Sequence, residues 1–304
     1  MSTPPHARAS AAGGIACILG GMLCLTISDS LAKWLGAHYA PIQLLFLRGS
    51  IALTVIATAV LAVAGRPALR TRYLRLHMLR GAINVASASC FYLGLTLLPL
   101  AEVTAIAFAA PLFVISLSAL LLREPVGAGR WAAVLVGFLG VLVVVRPGVS
   151  GFQPAGLLPL ATALCYAFMM LTARRIGPDE KMPTMMFYIA LGQVVFSAAL
   201  QPWFWQPVQA PHWPGIAGIA VFSTLGLGLI TQAFRIAPAS TVAPFDYSGI
   251  VWAVLFGWLF WDELPDAWAW VGSALIMGSG LYVAISEARR GRAARGRQAP
   301  PSRG

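Results

Sequence analysis

The feature that most constrains this chain is a succession of ten apolar runs, because a membrane helix needs about 20 consecutive, mostly apolar residues. The runs cover residues 13–34, 41–64, 76–97, 101–122, 131–145, 155–173, 183–202, 214–235, 240–261 and 268–286. Short segments rich in Pro, Gly and Arg separate them, and none is long enough to hold a soluble domain. The sequence predicts an all-α integral membrane protein with ten transmembrane helices.

The composition agrees with a membrane protein. Of the 304 residues 59% are hydrophobic and 10% are charged, whereas soluble domains have about 25% charged residues. Despite a net charge of +11, the arginines punctuate apolar runs instead of forming a basic stripe with stacking aromatics, so no nucleic-acid partner is expected. The four cysteines lie in apolar runs without metal-ligand spacing, so we expect no disulfide, metal or cofactor.

The distribution of basic residues predicts the orientation, because Lys and Arg favour the cytoplasmic side. With the N-terminus inside, the predicted outer ends of the runs carry only Lys33 and Arg146, and Arg48 lies inside the second run. The remaining basic residues fall at predicted cytoplasmic ends. Both termini are therefore expected in the cytoplasm, with the first run retained as a helix and not removed as a signal peptide.

The two halves of the chain repeat one another. Pro99, Val103, Glu124 and Trp131 match Pro238, Val242, Glu263 and Trp270 at one offset of 139 residues, and Cys24, Lys33 and Gly36 match Cys165, Arg174 and Gly177 at an offset of 141. Each half holds five helices, an odd number, so the second half enters the membrane from the opposite side. The sequence predicts two inverted five-helix repeats.

The charges between the runs support the inversion. Arg123 and Arg130, predicted inside, become Asp262 and Ala269 in the second half, predicted outside. We therefore divide the chain into a cytoplasmic N-terminus (1–12), a first repeat (13–148), a second repeat (152–287) and a basic cytoplasmic tail (288–304). The tail either binds anionic lipid or serves only to fix the topology.

The segments LLPLAEVTAIAFAAPLFVISLSALLLREP and IAPASTVAPFDYSGIVWAVLFGWLFWDELP resemble the EamA domain. The resemblance extends over nearly the whole chain, which is similar to the two-EamA-domain members of the drug/metabolite transporter superfamily. It implies a carrier in a bacterial-type inner membrane that works by alternating access. It also implies a central cavity lined mainly by the first, third, fourth, sixth, eighth and ninth helices.

The resemblance leads us to expect export of small polar or zwitterionic metabolites, such as amino acids or compounds derived from them. Two alternatives stay open: uptake of riboflavin, S-adenosylmethionine or a similar metabolite, and lipid flipping by the same fold. An enzyme is not expected, because the HExxH, GxSxG and paired-aspartate patterns are missing from the sequence. The expected partners are a small-molecule substrate and membrane lipids, with proton coupling as a further expectation; the sequence sets no oligomeric state.

Asp29, Arg48, Arg80 and Asp246 are charged residues away from the ends of the apolar runs, where an unpaired charge is costly and is a candidate site by default. Asp29 and Arg48 lie at similar depth, either as a structural ion pair that locks two helices or as part of a substrate site. Arg80 and Asp246 share a depth on the predicted cytoplasmic side. Arg80 either extends to lipid phosphates or modulates Asp246, and Asp246 is the residue predicted to hold a substrate ammonium group or a proton.

Further candidates are polar or aromatic residues inside the runs, which either contact substrate or join helices by hydrogen bonds. They are Asn84, Tyr92, Tyr166, Gln193, Gln232, Tyr247 and Trp252. Pro111 and Pro244 lie inside the fourth and ninth runs. Because a proline leaves a backbone carbonyl without its helical donor, both are predicted to form hinges or to expose carbonyl groups to a ligand.

Overall fold

The computed structural model describes residues 5–65, 69–146, 154–173, 175–176 and 180–298, and this part of the chain contains helices and no strand. The helices are α1 (Pro5–Gly36), α2 (Pro41–Ala64), α3 (Leu74–Leu97), α4 (Leu100–Ala107), α5 (Ala110–Leu121), α6 (Ala128–Val145), α7 (Leu157–Ala173), α8 (Met182–Phe204), α9 (Trp213–Ile236), α10 (Ala239–Asp246), α11 (Ser248–Trp261) and α12 (Ala267–Gln298).

These helices form ten spans, as the sequence predicts. Nine segments of the described chain are long and apolar enough to cross a membrane. The remaining span is α3, which has 24 residues but carries Arg75, His77 and Arg80 in its first half, and these reduce its hydropathy. The ten-helix prediction is confirmed.

The fourth and ninth spans, for which the sequence predicts single apolar runs over 101–122 and 240–261 with hinges at Pro111 and Pro244, are each broken into two helices. The breaks fall at Phe108–Ala109 and at Tyr247. Phe108 and Tyr247 are 139 residues apart, the spacing of the repeat. Pro111 lies in the first turn of α5, where its missing N–H is harmless, and Pro244 lies inside α10 just before the break.

The first and last helices are longer than the runs that predict them. The first α-helix begins at Pro5 instead of residue 13, and α12 continues to Gln298 instead of ending at residue 286. Hydropathy marks only the part of a helix that lies within the bilayer, so a polar helical extension escapes it. The domain boundaries given above stay predictions.

The packing has the inverted symmetry of the repeats. Helix α3 of the first repeat packs against α7 of the second, and its equivalent α9 packs in the same way against α1. Likewise α5 contacts α7, and its equivalent α11 contacts α1. Gly21 and Gly226 bring α1 and α9 together, since a Cβ on either would lie within 3.0 Å of the carbonyl oxygen of the other. Their repeat equivalents, Thr162 and Ser87, exchange two side-chain hydrogen bonds of 3.1 Å each to backbone oxygens.

Two further helix pairs join the repeats. The sixth and twelfth helices meet at Gly140 and Gly272, where an added Cβ would lie 2.8 and 2.6 Å from the opposing carbonyl oxygen. The second and eighth helices are joined by side-chain amides: Gln193 donates to the backbone oxygen of Leu45 at 3.0 Å. Small residues and amide hydrogen bonds are the usual means of tight helix packing in membranes.

Candidate functional site

A cleft of about 520 Å³ lies between α5, α7 and α12 and is open to the outside; we call it the cavity. Its lining residues are Pro111, Val114, Ile115, Tyr166, Met170, Ala173 and Val283. This volume is within the range of about 300–1,000 Å³ that is usual for small-molecule sites. The family resemblance implied a cavity lined by the first, third, fourth, sixth, eighth and ninth spans; this cavity shares the fourth and sixth of them, and the tenth span forms another of its walls.

Asp246 is not one of the lining residues, but it is linked to the cavity through Tyr166, which is. It is the last residue of α10, at the break in the ninth span, and it interacts electrostatically with Tyr166 and Tyr247. Tyr166 lines the cavity, and 44% of the residue is exposed. The Tyr247 ring packs against Phe108, with 5.1 Å between ring centroids, so the two broken spans meet at their breaks. The break thus places a carboxylate and two phenol groups together.

Arg80 lies elsewhere, although the sequence predicts it at the same depth as Asp246. Its side chain is only 3% exposed, so it does not extend to lipid phosphates. In the described part of the chain it forms no ion pair with Asp246, and its Nε and Nη1 atoms have no hydrogen-bond partner. Arg80 instead interacts with His77, whose Nε2 lies 3.3 Å from Glu180 Oε1. The predicted modulation of Asp246 by Arg80 has no structural support.

Asp29, Arg48 and Tyr92 form a second polar group, on the first three spans. Arg48 Nη1 donates a 2.7 Å hydrogen bond to the Tyr92 hydroxyl, and the guanidinium carbon lies 5.3 Å from the centre of the tyrosine ring. Asp29 interacts electrostatically with Arg48, but the two side chains form no direct ion pair in the described structure. Arg48 thus joins the second span to the third through buried Tyr92, and both predicted roles of Asp29 and Arg48, a structural pair and part of a substrate site, stay open.

The other predicted candidates are dispersed. Gln193 is committed to the backbone of α2, as described above, and Asn84 contacts Met169 Sδ at 3.8 Å. Gln232 is exposed and does not line the cavity. Trp252 is half-buried, and its indole nitrogen has no hydrogen-bond partner in the described residues. Of the seven polar and aromatic candidates, only Tyr166 lines the cavity, and Tyr247 lies at the adjoining break.

The structure also contains an ion pair that the sequence did not single out as a site. Lys33 Nζ lies 2.9 Å from both carboxylate oxygens of Glu263 and donates to the backbone oxygen of Leu98 at 2.7 Å. We call this end of the bundle the Lys33 end. A second pair at the same end joins Arg146 to Asp266, and the hydrogen bond from Arg146 holds the pKa of Asp266 below its usual range.

The chain matches the model of the EamA-like transporter family twice, over residues 12–146 and 153–285. Two EamA-like segments are thus present, one in each half of the chain. The matches are the family pattern that the quoted segments suggested.

Several characterised transporters resemble the chain over most of its length. A riboflavin transporter of Vibrio cholerae is 31% identical over 265 residues, which are 84% of this chain and 89% of the relative. An S-adenosylmethionine uptake transporter of Rickettsia prowazekii is 27% identical, over 90% of this chain and 93% of the relative. A pseudopaline exporter of Pseudomonas aeruginosa is 28% identical, over 88% and 93%.

A solved crystal structure has the same fold. It superposes with a TM-score of 0.58 and covers 90% of this chain and 98% of its own, at 23% sequence identity. At that identity the likeness establishes the architecture and nothing about the ligand.

Proposed function

Because the chain belongs to the EamA-like transporter family, we propose that it is an inner-membrane secondary transporter that moves small polar or zwitterionic metabolites by alternating access. Membership of this family makes it a multi-pass transporter and not an enzyme. The substrate class, the inner membrane and the mechanism belong to the proposal. The observation that supports the substrate class is the position of Asp246, at the break of the ninth span and in electrostatic interaction with Tyr166, which lines the cavity of about 520 Å³.

The chemistry of this site suits an amine-bearing compound. A carboxylate pairs with a substrate ammonium group, and the phenol group of Tyr166 adds a hydrogen-bond donor and an aromatic face for a cation. Amino acids and compounds derived from them carry the ammonium group that such a carboxylate binds.

The relatives differ in direction. Export, which the sequence analysis predicts, is the direction of the pseudopaline exporter, whereas the Rickettsia relatives are uptake transporters. We propose export, and uptake is the second candidate. S-adenosylmethionine carries both an ammonium group and a carboxylate, so the same zwitterionic class fits either direction.

A comparison of a deletion strain with an overexpressing strain tests the proposal, with metabolites measured in cells and medium together. For an exporter we expect one zwitterionic compound to accumulate in the deletion cells and to rise in the medium of the overexpressing strain. A compound that disappears from the deletion cells and stays in the medium identifies uptake. If the metabolites that change are neither polar nor zwitterionic, the proposed substrate class is wrong.

Lipid flipping remains the third candidate because of a groove of about 450 Å³ between α1 and α11. The groove is lined by Ile27, Ser30, Leu31, Trp34, Phe256, Phe260 and Trp261, an almost wholly apolar set. Such a surface accommodates the acyl chains of a lipid that is being flipped, and it equally packs against lipid that is not transported. Purified protein in liposomes separates the two: a flippase scrambles fluorescent phospholipid, and a metabolite carrier does not.

We propose that both termini are cytoplasmic, since the basic residues collect on that side. A reporter fused after Gly304 is then active only in the cytoplasm, and one inserted at Gln209, between α8 and α9, only outside. The two points are separated by three spans, so they must lie on opposite faces of the membrane. Activity of both reporters on one side would contradict the arrangement of the last three spans.

A further inference from the structure

The Lys33 end of the bundle is joined by one charged cluster. Lys33 is near the end of α1, Leu98 precedes α4, and Glu263 follows α11. Besides its two contacts with Lys33, Glu263 accepts a 3.3 Å hydrogen bond from the backbone N–H of Leu100. A single pair of side chains therefore connects the ends of the first, fourth and ninth spans.

The cluster is partly removed from water. The Lys33 side chain is 7% exposed and that of Glu263 28% exposed. The ammonium group also lies 5.4 Å from the centre of the Trp261 ring, at the head of the groove between α1 and α11. A partly buried pair of this kind is costly to break by removing one partner, because the other charge is left with reduced solvation.

This pair bridges the two repeats. Lys33 belongs to the first repeat and Glu263 to the second, and alternating access in inverted-repeat carriers moves one repeat against the other. The Lys33 end cannot open between α1 and α11 while the ammonium group holds both Glu263 and the carbonyl of Leu98. Separation of these two spans requires the pair to break.

Glu124 has the backbone setting of Glu263 at the opposite end of the bundle. The residues before them, Arg123 and Asp262, both have left-handed backbone conformation, with φ of 55° and 54°. The N–H groups of Glu124 and Glu263 donate to the carbonyls of Ser118 and Gly257, six residues earlier, at 3.3 and 3.0 Å. The repeat thus preserves both the glutamate and the helix end that presents it.

We propose that Glu263 and Glu124 are the positioning residues of two gates, one at each end of the bundle. The Lys33–Glu263 pair holds the Lys33 end closed, and Glu124 stabilises closure of the opposite end. Loss of either carboxylate shifts the protein towards the conformation that is open at that end. This inference rests on the transporter fold and on no particular substrate.

Thiol labelling of purified protein measures the shift without a substrate. In a variant that lacks the four native cysteines, Thr96→Cys reports on the small cavity of about 280 Å³ beside Lys33, and Val114→Cys reports on the opposite cavity. We expect Glu263→Gln to raise the labelling rate at Thr96→Cys by about tenfold and to lower it at Val114→Cys. We expect Glu124→Gln to have the reverse effect.

The matched control is Asp266→Asn, which breaks the other ion pair at the Lys33 end. That pair is more exposed, at 28% and 49%, and joins α6 to α12, which stay packed through Gly140 and Gly272. Its loss leaves both labelling rates unchanged.

Equal effects of Asp266→Asn and Glu263→Gln would overturn the proposal, and so would a shift in the same direction for both glutamate variants. Lys33→Gln is the second variant for the first gate and must reproduce Glu263→Gln. If neither variant folds, the pair is a folding contact and not a gate. Because no substrate is used, a wrong substrate class leaves these outcomes unaffected.

Discussion

Gly81→Val is expected to destabilise the protein severely. A Cβ at Gly81 of α3 would lie 2.7 Å from the Cα atom of Gly192 of α8, and the opposing atom is backbone and cannot rotate away. Overpacking of a tight interior typically costs about 1–3 kcal/mol, and a clash with backbone belongs at the upper end of that range or above it. We expect a lower yield of monodisperse protein and a lower temperature of heat-induced aggregation, both measured by size-exclusion chromatography.

Gly278→Val is the matched control for this substitution. Gly278 is also in the middle of a span, but a Cβ there meets nothing within 4 Å, and the residue is exposed on the outside of the bundle. The two variants change helix propensity alike, so the difference between them measures the close approach of α3 and α8. Equal stability of the two variants would show that α3 and α8 are not in close contact at Gly81.

The number of spans could be predicted because bilayer thickness fixes the length of an apolar run. The second run, 41–64, coincides with α2, where Pro41 begins the helix after a turn. The breaks at Phe108 and Tyr247 could not be predicted in the same way, because both sides of each break are apolar. Their positions depend on the packing of the fourth span against the ninth, where the two rings meet.

The candidate site was predicted in part. Depth in the membrane is one coordinate, and the rotation of each helix about its axis is another that hydropathy does not supply. Asp29 and Arg48 share both the depth and the helix rotation that bring them together, and Tyr92 interacts with both residues. Arg80 and Asp246 share only depth, so the structure separates them.

The repeat did carry the signal for the Lys33–Glu263 pair. At the offset of 139 residues both repeats have a glutamate, Glu124 and Glu263, although the preceding residue changes from Arg123 to Asp262. At the offset of 141 residues both repeats have a basic residue, Lys33 and Arg174. Arg174 lies outside the described residues. Charges that persist in both repeats while their neighbours change sign indicate a function at both ends of an inverted structure.

Asp246→Asn is expected to leave the protein inserted and folded but to remove its pH-dependent transport. The amide has nearly the shape of the carboxylate and keeps an acceptor, but it cannot carry the charge that pairs with a substrate ammonium group or take up a proton. The loss of a charge-assisted hydrogen bond of about 1.5–3 kcal/mol corresponds to a decrease of about 10- to 100-fold in transport. Asp246→Glu retains the charge and is expected to retain part of the activity.

Two controls separate this role from a structural one. Gln232→Leu removes an exposed polar side chain of α9 that does not line the cavity, and this variant is expected to transport normally. Tyr166→Phe removes the hydroxyl of the tyrosine that lines the cavity and interacts electrostatically with Asp246. It is expected to weaken substrate binding while the response to pH remains, because the carboxylate is unchanged.

Purified protein in liposomes with an imposed pH gradient measures these effects, with S-adenosylmethionine, riboflavin and the metabolite found in the strain comparison as test substrates. If substrate and proton compete for the Asp246 carboxylate, a proton gradient drives the unmodified protein and has no effect on Asp246→Asn. Competition for one carboxylate couples substrate transport to proton transport without a second ion site. The carboxylate binds either substrate or a proton each time the site changes the side of the membrane to which it is open. An Asp246→Asn variant that transports at the normal rate with an unchanged pH response would place the coupling elsewhere and assign Asp246 to structure.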